Sequence, residues 1–187
     1  AYKEDPKKRT ITLTLRKCVK FHDGTDFNAE SVKWNLDQCI TEKAPGADKF
    51  KSIDIVDPFA VRIELTEWDN TVLSNLAQTI GMIVSPTACK KNGTEWCASH
   101  PVGTGPFQFV SWEKDVRTVY KKFQNYWQKG KPYLDEVVWT PIADPLTRIL
   151  SLRRGEVNLA LTVPGKDLPS LEKDGFVITR RRPGSGN

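Results

Sequence analysis

Residues Thr10-Ile11-Thr12-Leu13-Thr14-Leu15-Arg16 alternate strictly between polar and apolar side chains. Successive side chains on a strand point to opposite faces, so this run buries one face and solvates the other only as a β-strand. Val19-Lys20-Phe21 extends it, and His22-Asp23-Gly24-Thr25 reads as a turn. A helix follows. Asn28 takes the N-cap, where its side chain accepts a bond from an unpaired amide of the first turn. Phe27 and Val32 hold the positions of a hydrophobic staple across that cap. Val32, Leu36, Cys39 and Ile40 recur at helical spacing and give one buried face, and Pro45-Gly46 lies beyond the stop.

The rest of the chain keeps mixing the two periods. Ile53 and Ile55 alternate with polar neighbours, Asp57-Pro58 turns the chain, and Val61, Ile63 and Leu65 return, which predicts a hairpin. A short helix is expected from Asp69 to about Ala77, an apolar strand from Gly81 to Ser85, and a helical turn starting at Pro86. Phe107 to Val110 and Val116 to Tyr120 form a second hairpin around Glu113-Lys114-Asp115. Near Gly130 the rhythm changes. Leu134 to Trp139 reads as a strand, and Asp144 caps a helix with Pro145 at its first position. Ile149, Leu150 and Leu152 give that helix an apolar stripe, and Gly155 stops it. Strand 157–161, helix 166–173 and strand 176–179 follow. The expectation is an α/β fold, with α+β character in residues 1–130 and parallel or mixed pairing in residues 131–187.

A chain of 187 residues is long enough to bury a genuine core. No apolar run approaches the roughly 18 residues of a membrane span. The sequence opens directly on Ala1-Tyr2-Lys3-Glu4-Asp5-Pro6, so an export signal is expected to have been removed or to lie upstream. The net charge of +5 is spread, with 23 acidic residues among 28 basic ones, and Arg180-Arg181-Arg182 is the densest basic run. Without a long basic block or an aromatic-basic stripe, nucleic acid is not an expected partner.

The four cysteines form no CxxC pair, and only His22 and His100 are present as histidines, so no zinc site and no cofactor is expected. Cys89 and Cys97 bracket Lys90-Lys91-Asn92-Gly93, which leaves two states open. Either the intervening turn folds one cysteine onto the other in an oxidising location, or all four thiols are reduced.

Several short patterns invite sharper readings. Gly103-Thr104-Gly105-Pro106 lacks the Lys-Ser/Thr ending of a phosphate loop, so it reads as a tight turn bringing backbones close together. His22-Asp23 has no nucleophile elbow beside it and reads as a hydrogen-bonded loop. A hydrolase using His22, Asp23 and Ser31 stands as the rival from another class, and a purely interactive scaffold as a third. Asp135 and Glu136 are neighbours in a strand and point to opposite faces, so they cannot flank one glycosidic bond. The six tryptophans share no stripe and read mostly as packing.

Two longer stretches, Leu15 to Thr25 (LRKCVKFHDGT) and Phe27 to Val32 (FNAESV), resemble the signature of family 5 extracellular solute-binding proteins. Pro101 to Phe107 (PVGTGPF), Asn125-Tyr126-Trp127, Pro141 to Pro145 with Arg148, and Gly155-Glu156-Val157-Asn158 follow in the family's order. The resemblance runs essentially end to end. It implies a substrate-binding component of an ABC transporter and no enzyme. Such a protein captures a peptide or similar small solute at the periplasmic or extracellular face of the membrane and hands it to a permease. Nickel or another metal chelate, an opine or a sugar remain alternative cargoes. A lipid anchor would lie on an N-terminus upstream of Ala1.

The resemblance further implies part of one lobe of a two-lobed periplasmic-binding-protein type II (cluster C) fold. Residues 1–130 match the smaller inserted subdomain of lobe one, and residues 131–187 an incomplete α/β core segment. A partial lobe with unpaired strand edges is expected to self-associate. Segments matching the family's cleft loops nominate Gln78, Thr79, Lys122, Thr162, Ser185 and Asn187 as ligand contacts. Lys122 matches a position where the nickel-binding branch carries a basic residue, and equally reads as a solvated strand lysine. Cys18 stands where the family carries glycine or another residue, which suggests a bridge to Cys39.

Overall fold

The structure is a computed structural model and describes residues 1–179. It comprises two compact units, one from Ala1 to Trp139 and the other from Thr140 onward. The first unit opens with β1 (Tyr2–Asp5) and β2 (Thr10–Thr14), then α1 (Ala29–Thr41), β3 (Phe50–Asp57) and β4 (Ala60–Leu65). The four strands form one antiparallel sheet in the order β1-β2-β4-β3. Register places Ile11, Ile63 and Ile53 side by side across it, and all three are buried. Their neighbours Thr12, Arg62 and Asp54 pair on the opposite face, where Arg62 reaches the Asp54 carboxylate at 3.2 Å. The alternation in sequence is therefore the partition between core and solvent.

Helix α1 joins the same core through Val32 and Leu36. Burying each of these side chains contributes about 1.5–3 kcal/mol. The helix starts where its capping chemistry dictates. The Asn28 side chain accepts from the Ser31 amide at 3.0 Å, and the Ser31 hydroxyl accepts from the Asn28 amide at 3.1 Å. This reciprocal pair satisfies two otherwise unpaired groups.

Next come α2 (Val72–Leu76), a 3-10 turn (Thr79–Gly81), α3 (Pro86–Asn92) and α4 (Thr94–Ser99). A disulfide between Cys89 and Cys97 ties α3 to α4 with the Cα atoms 5.5 Å apart. Cys18 and Cys39 are free thiols, contrary to the suggested bridge. Cys39 packs against the core from α1, whereas Cys18 is exposed with φ +58°. That left-handed conformation is the physical reason for glycine at such a position.

The strand expected from Gly81 to Ser85 is not one. Gly81 closes the 3-10 turn, and a Cβ there would lie 1.7 Å from the Leu76 carbonyl oxygen. Beyond it, Asn35 stands in for a neighbouring strand. Its buried carboxamide donates to the Val84 carbonyl at 2.8 Å and accepts from the Val84 amide at 3.1 Å.

The second sheet is β5 (Phe107–Glu113), β6 (Arg117–Lys122) and β7 (Glu136–Trp139), antiparallel in that order. Because β7 pairs back onto β6, with Val119 opposite Val138, the first unit runs on to Trp139. A register shift between Phe109 and Ser111 inserts an extra residue in β5.

The second unit contains α5 (Pro145–Arg153), a 3-10 turn (Gly165–Asp167) and α6 (Leu168–Lys173). Asp144 caps α5 by accepting from the Thr147 amide at 2.6 Å. Among the described residues of this unit, Ile149 of α5 and Leu171 of α6 are the buried apolar side chains, while Leu150 of the expected stripe is exposed. The strands expected at 157–161 and 176–179 do not form. A strand needs a ladder partner, and none runs beside these segments among the described residues. Leu159 and Val177 are accordingly exposed. Every ladder among the described residues is antiparallel, which corrects the expected parallel or mixed pairing.

Candidate functional site

The motifs of the first unit are docked on one another around His22. Its backbone amide donates to the Gly103 carbonyl at 2.9 Å. The Gly103 amide returns a bond to Nδ1 at 3.3 Å, so the ring proton resides on Nε2, which donates to the Gly105 carbonyl at 3.0 Å. The ring also packs edge-on against Phe123, with centroids 4.9 Å apart. Burial pushes the imidazole below its ordinary range, against the Gly105 carbonyl and the Asp23 charge, which both favour protonation. The close approach of these backbones does not rest on the absent glycine side chain. A Cβ at Gly103 would sit 3.9 Å from the His22 ring, an ordinary contact.

Asp23 continues the lock. Its carboxylate accepts from the Thr25 amide at 3.0 Å, the Thr25 hydroxyl at 2.6 Å and the Ser85 hydroxyl at 2.5 Å. Burial raises its pKa, but these hydrogen bonds outweigh it and hold the carboxyl below the usual range. Ser85 is fully buried, caps α3 by accepting from the Ala88 amide, and donates its own amide to the Val102 carbonyl. A third motif joins on the strand side, where the Arg16 guanidinium lies 3.8 Å from the centre of the Trp127 ring. Sequence reading missed Ser85 and Asn35. The signal for Ser85 was present, since serine before proline marks a helix cap.

The structure does not assemble His22, Asp23 and Ser31 into a relay. Both ring nitrogens of His22 face backbone groups, Asp23 takes hydroxyls from Thr25 and Ser85, and the Ser31 hydroxyl donates to the Asn28 carbonyl at 2.7 Å. Among the described residues no group of three His, Cys, Asp or Glu could hold a metal ion.

The nominated contacts fall at three places. Gln78 and Thr79 are exposed and adjacent at the 3-10 turn. Lys122 ends β6, half-buried, with its amide donating to the Asp135 carbonyl at 2.7 Å and its Nζ 3.9 Å from the Asp135 carboxylate. Thr162 lies in the second unit with φ +57°. Ser185 and Asn187 fall outside the described residues.

Three comparisons place this arrangement. Residues 1–187 match the family described as bacterial extracellular solute-binding proteins, family 5 Middle. The chain belongs to that family, whose members are solute-binding proteins. It is 39% identical over 170 residues to glutathione-binding protein GsiB of Shigella flexneri, covering 88% of this chain and 33% of that protein. The chain thus spans about a third of the length of that relative. It superposes on AgaA, solved in complex with agropinic acid from A.tumefacien R10, with a TM-score of 0.82 and 32% identity, covering 92% of this chain and 36% of that one. It superposes on DppA of Helicobacter pylori, solved in complex with the peptide STSA, with a TM-score of 0.78 and 30% identity, covering 92% and 39%. These neighbours are type II periplasmic binding proteins. No helix among the described residues is long and apolar enough to cross a membrane.

Proposed function

We propose that this chain forms part of the substrate-binding component of an ABC importer, which holds a peptide or peptide-like solute outside the cell membrane for delivery to a permease. The observation that carries the reading is the family match over the whole chain. The docking of the His22, Gly103–Gly105 and Trp127 motifs on one another supports it, because a clamshell receptor needs a rigid wall against which the other lobe closes. The first unit, through Trp139, acts as the inserted subdomain of lobe one, and the chain after it belongs to the core of that lobe. Gln78, Thr79, Lys122, Thr162, Ser185 and Asn187 each meet the ligand. The protein has no catalytic role, and a lipid anchor upstream of Ala1 would keep it at the membrane surface.

Peptidic ligands lead because the relatives include a glutathione-binding protein and a receptor solved with a tetrapeptide. Isothermal titration of the receptor carrying this chain tests this, with reduced glutathione, Ser-Thr-Ser-Ala and agropinic acid as probes. The expected result is saturable binding of a peptidic probe. Binding of agropinic acid alone would move the cargo to opines. Hydrolysis of ester or peptide substrates that His22→Ala abolishes would overturn the receptor reading.

A further inference from the structure

Arg148 makes an unusual set of bonds for a helix residue. Its Nε and one terminal nitrogen donate to the Ile142 carbonyl at 3.1 and 2.7 Å, and that nitrogen also reaches the Ala143 carbonyl at 3.2 Å. The other terminal nitrogen donates to the Leu161 carbonyl at 2.8 Å and the Thr162 carbonyl at 3.1 Å. All three guanidinium nitrogens are thus spent on backbone oxygens of two separate segments. Neither segment belongs to a sheet or helix that would otherwise take those carbonyls.

One of the clamped residues is Thr162, a β-branched residue at φ +57°. Left-handed backbone is a genuine outlier for such a side chain, and it persists only where the surroundings over-determine it. The helix to which Arg148 belongs is itself fixed by the Asp144 cap and by buried Ile149. A planar, pre-organised fork on a fixed helix is therefore the device that holds the outlier.

We propose that Arg148 is the positioning residue of the Thr162 loop. It fixes Leu161 and Thr162 in the one geometry in which Thr162 serves the ligand, and so sets affinity without touching the ligand. The ligand half of this inference rests on the receptor function proposed above.

Crystal structures and glutathione titrations of Arg148→Ala and Arg148→Lys, in the receptor carrying this chain, test it. In Arg148→Ala, Thr162 should leave the left-handed region, and affinity for reduced glutathione should fall at least tenfold. Arg148→Lys, which keeps the charge but not the fork, should recover little of either and serves alone if the alanine variant does not fold. Thr162 remaining near its present φ in both variants would overturn the proposal. So would a displaced loop with unchanged glutathione affinity. Failure of the unaltered receptor to bind glutathione would count against the peptidic cargo, and the Thr162 conformation would still decide the role of Arg148.

Discussion

The hydroxyl of Ser85 donates to the carboxylate of Asp23 at 2.5 Å across 62 residues of sequence. The same oxygen accepts from the Ala88 amide, so one buried atom both caps α3 and anchors the turn at residues 22–25. Ser85→Ala removes both bonds. We expect a loss of about 2 kcal/mol in urea unfolding, from a lost cap plus a lost charge-assisted hydrogen bond. A change below about 0.5 kcal/mol would mean that the turn is held without it.

Protonation of His22 should loosen the same lock. Its folded-state pKa lies below that of the unfolded chain, so the unfolded state takes up the proton first. This contribution is full above the ordinary histidine value of about 6.5 and falls as pH drops towards the folded pKa. Melting midpoints between about pH 5 and 7.5 should therefore decline on acidification. His22→Gln, which cannot titrate, should flatten that part of the profile. An identical slope in both proteins would place the acid sensitivity elsewhere.

The capped start of α1 gives a graded test. Asn28→Ala should cost roughly 1 kcal/mol by removing the cap. Phe27→Ala should cost more, since Phe27 packs against the core and meets Phe21 edge-on at 5.9 Å. Equal midpoints for both variants and the parent protein would show that the helix is nucleated from another point.

The cysteines separate by chemistry. Peptide mapping without reductant should find Cys89 joined to Cys97 and leave Cys18 and Cys39 alkylatable. Cys18 should react first, because it is exposed while burial pushes the Cys39 thiol up. Replacing Cys89 and Cys97 by serine should cost about 2–3 kcal/mol in the loop-entropy view. Free thiols at both positions in oxidised protein would remove the disulfide as an argument for an exported location.

The 187-residue chain by itself should associate with copies of itself. Both β5 and β7 are edge strands, and Trp112 and Trp139 lie exposed on them. Sedimentation at increasing concentration should reveal dimers or larger species, and titration with glutathione should give negligible heat. A monomer that binds the peptide at micromolar concentration would oppose the reading of this chain as part of one lobe.

What could be read in advance depended on how local the physics was. Alternation around Thr12 gave β2, and the Asn28 cap gave the start of α1 within a residue. Strand β1 escaped because Tyr2–Asp5 is too polar and short to show a period. The segments at 157–161 and 176–179 show strand composition, yet a strand exists only beside a partner. The site was harder still. Gly103 and Gly105 signalled a turn, but what they dock on is a histidine ring 81 and 83 residues earlier in sequence. Arg148 was visible only as one residue of a motif, because its partners are backbone carbonyls that carry no sequence signature.

The amide of Asn35 that grips Val84 has a consequence for how such a protein can diversify. A ladder carries any inserted residue along the whole strand and turns every side chain to the wrong face. A single carboxamide holding a single residue confines that disturbance to the chain before it. The exposed side chains of Gln78 and Thr79 can therefore be exchanged while Val84 and everything after it stay in register. If they meet the ligand as proposed, new specificities can be tried there at little risk to the fold.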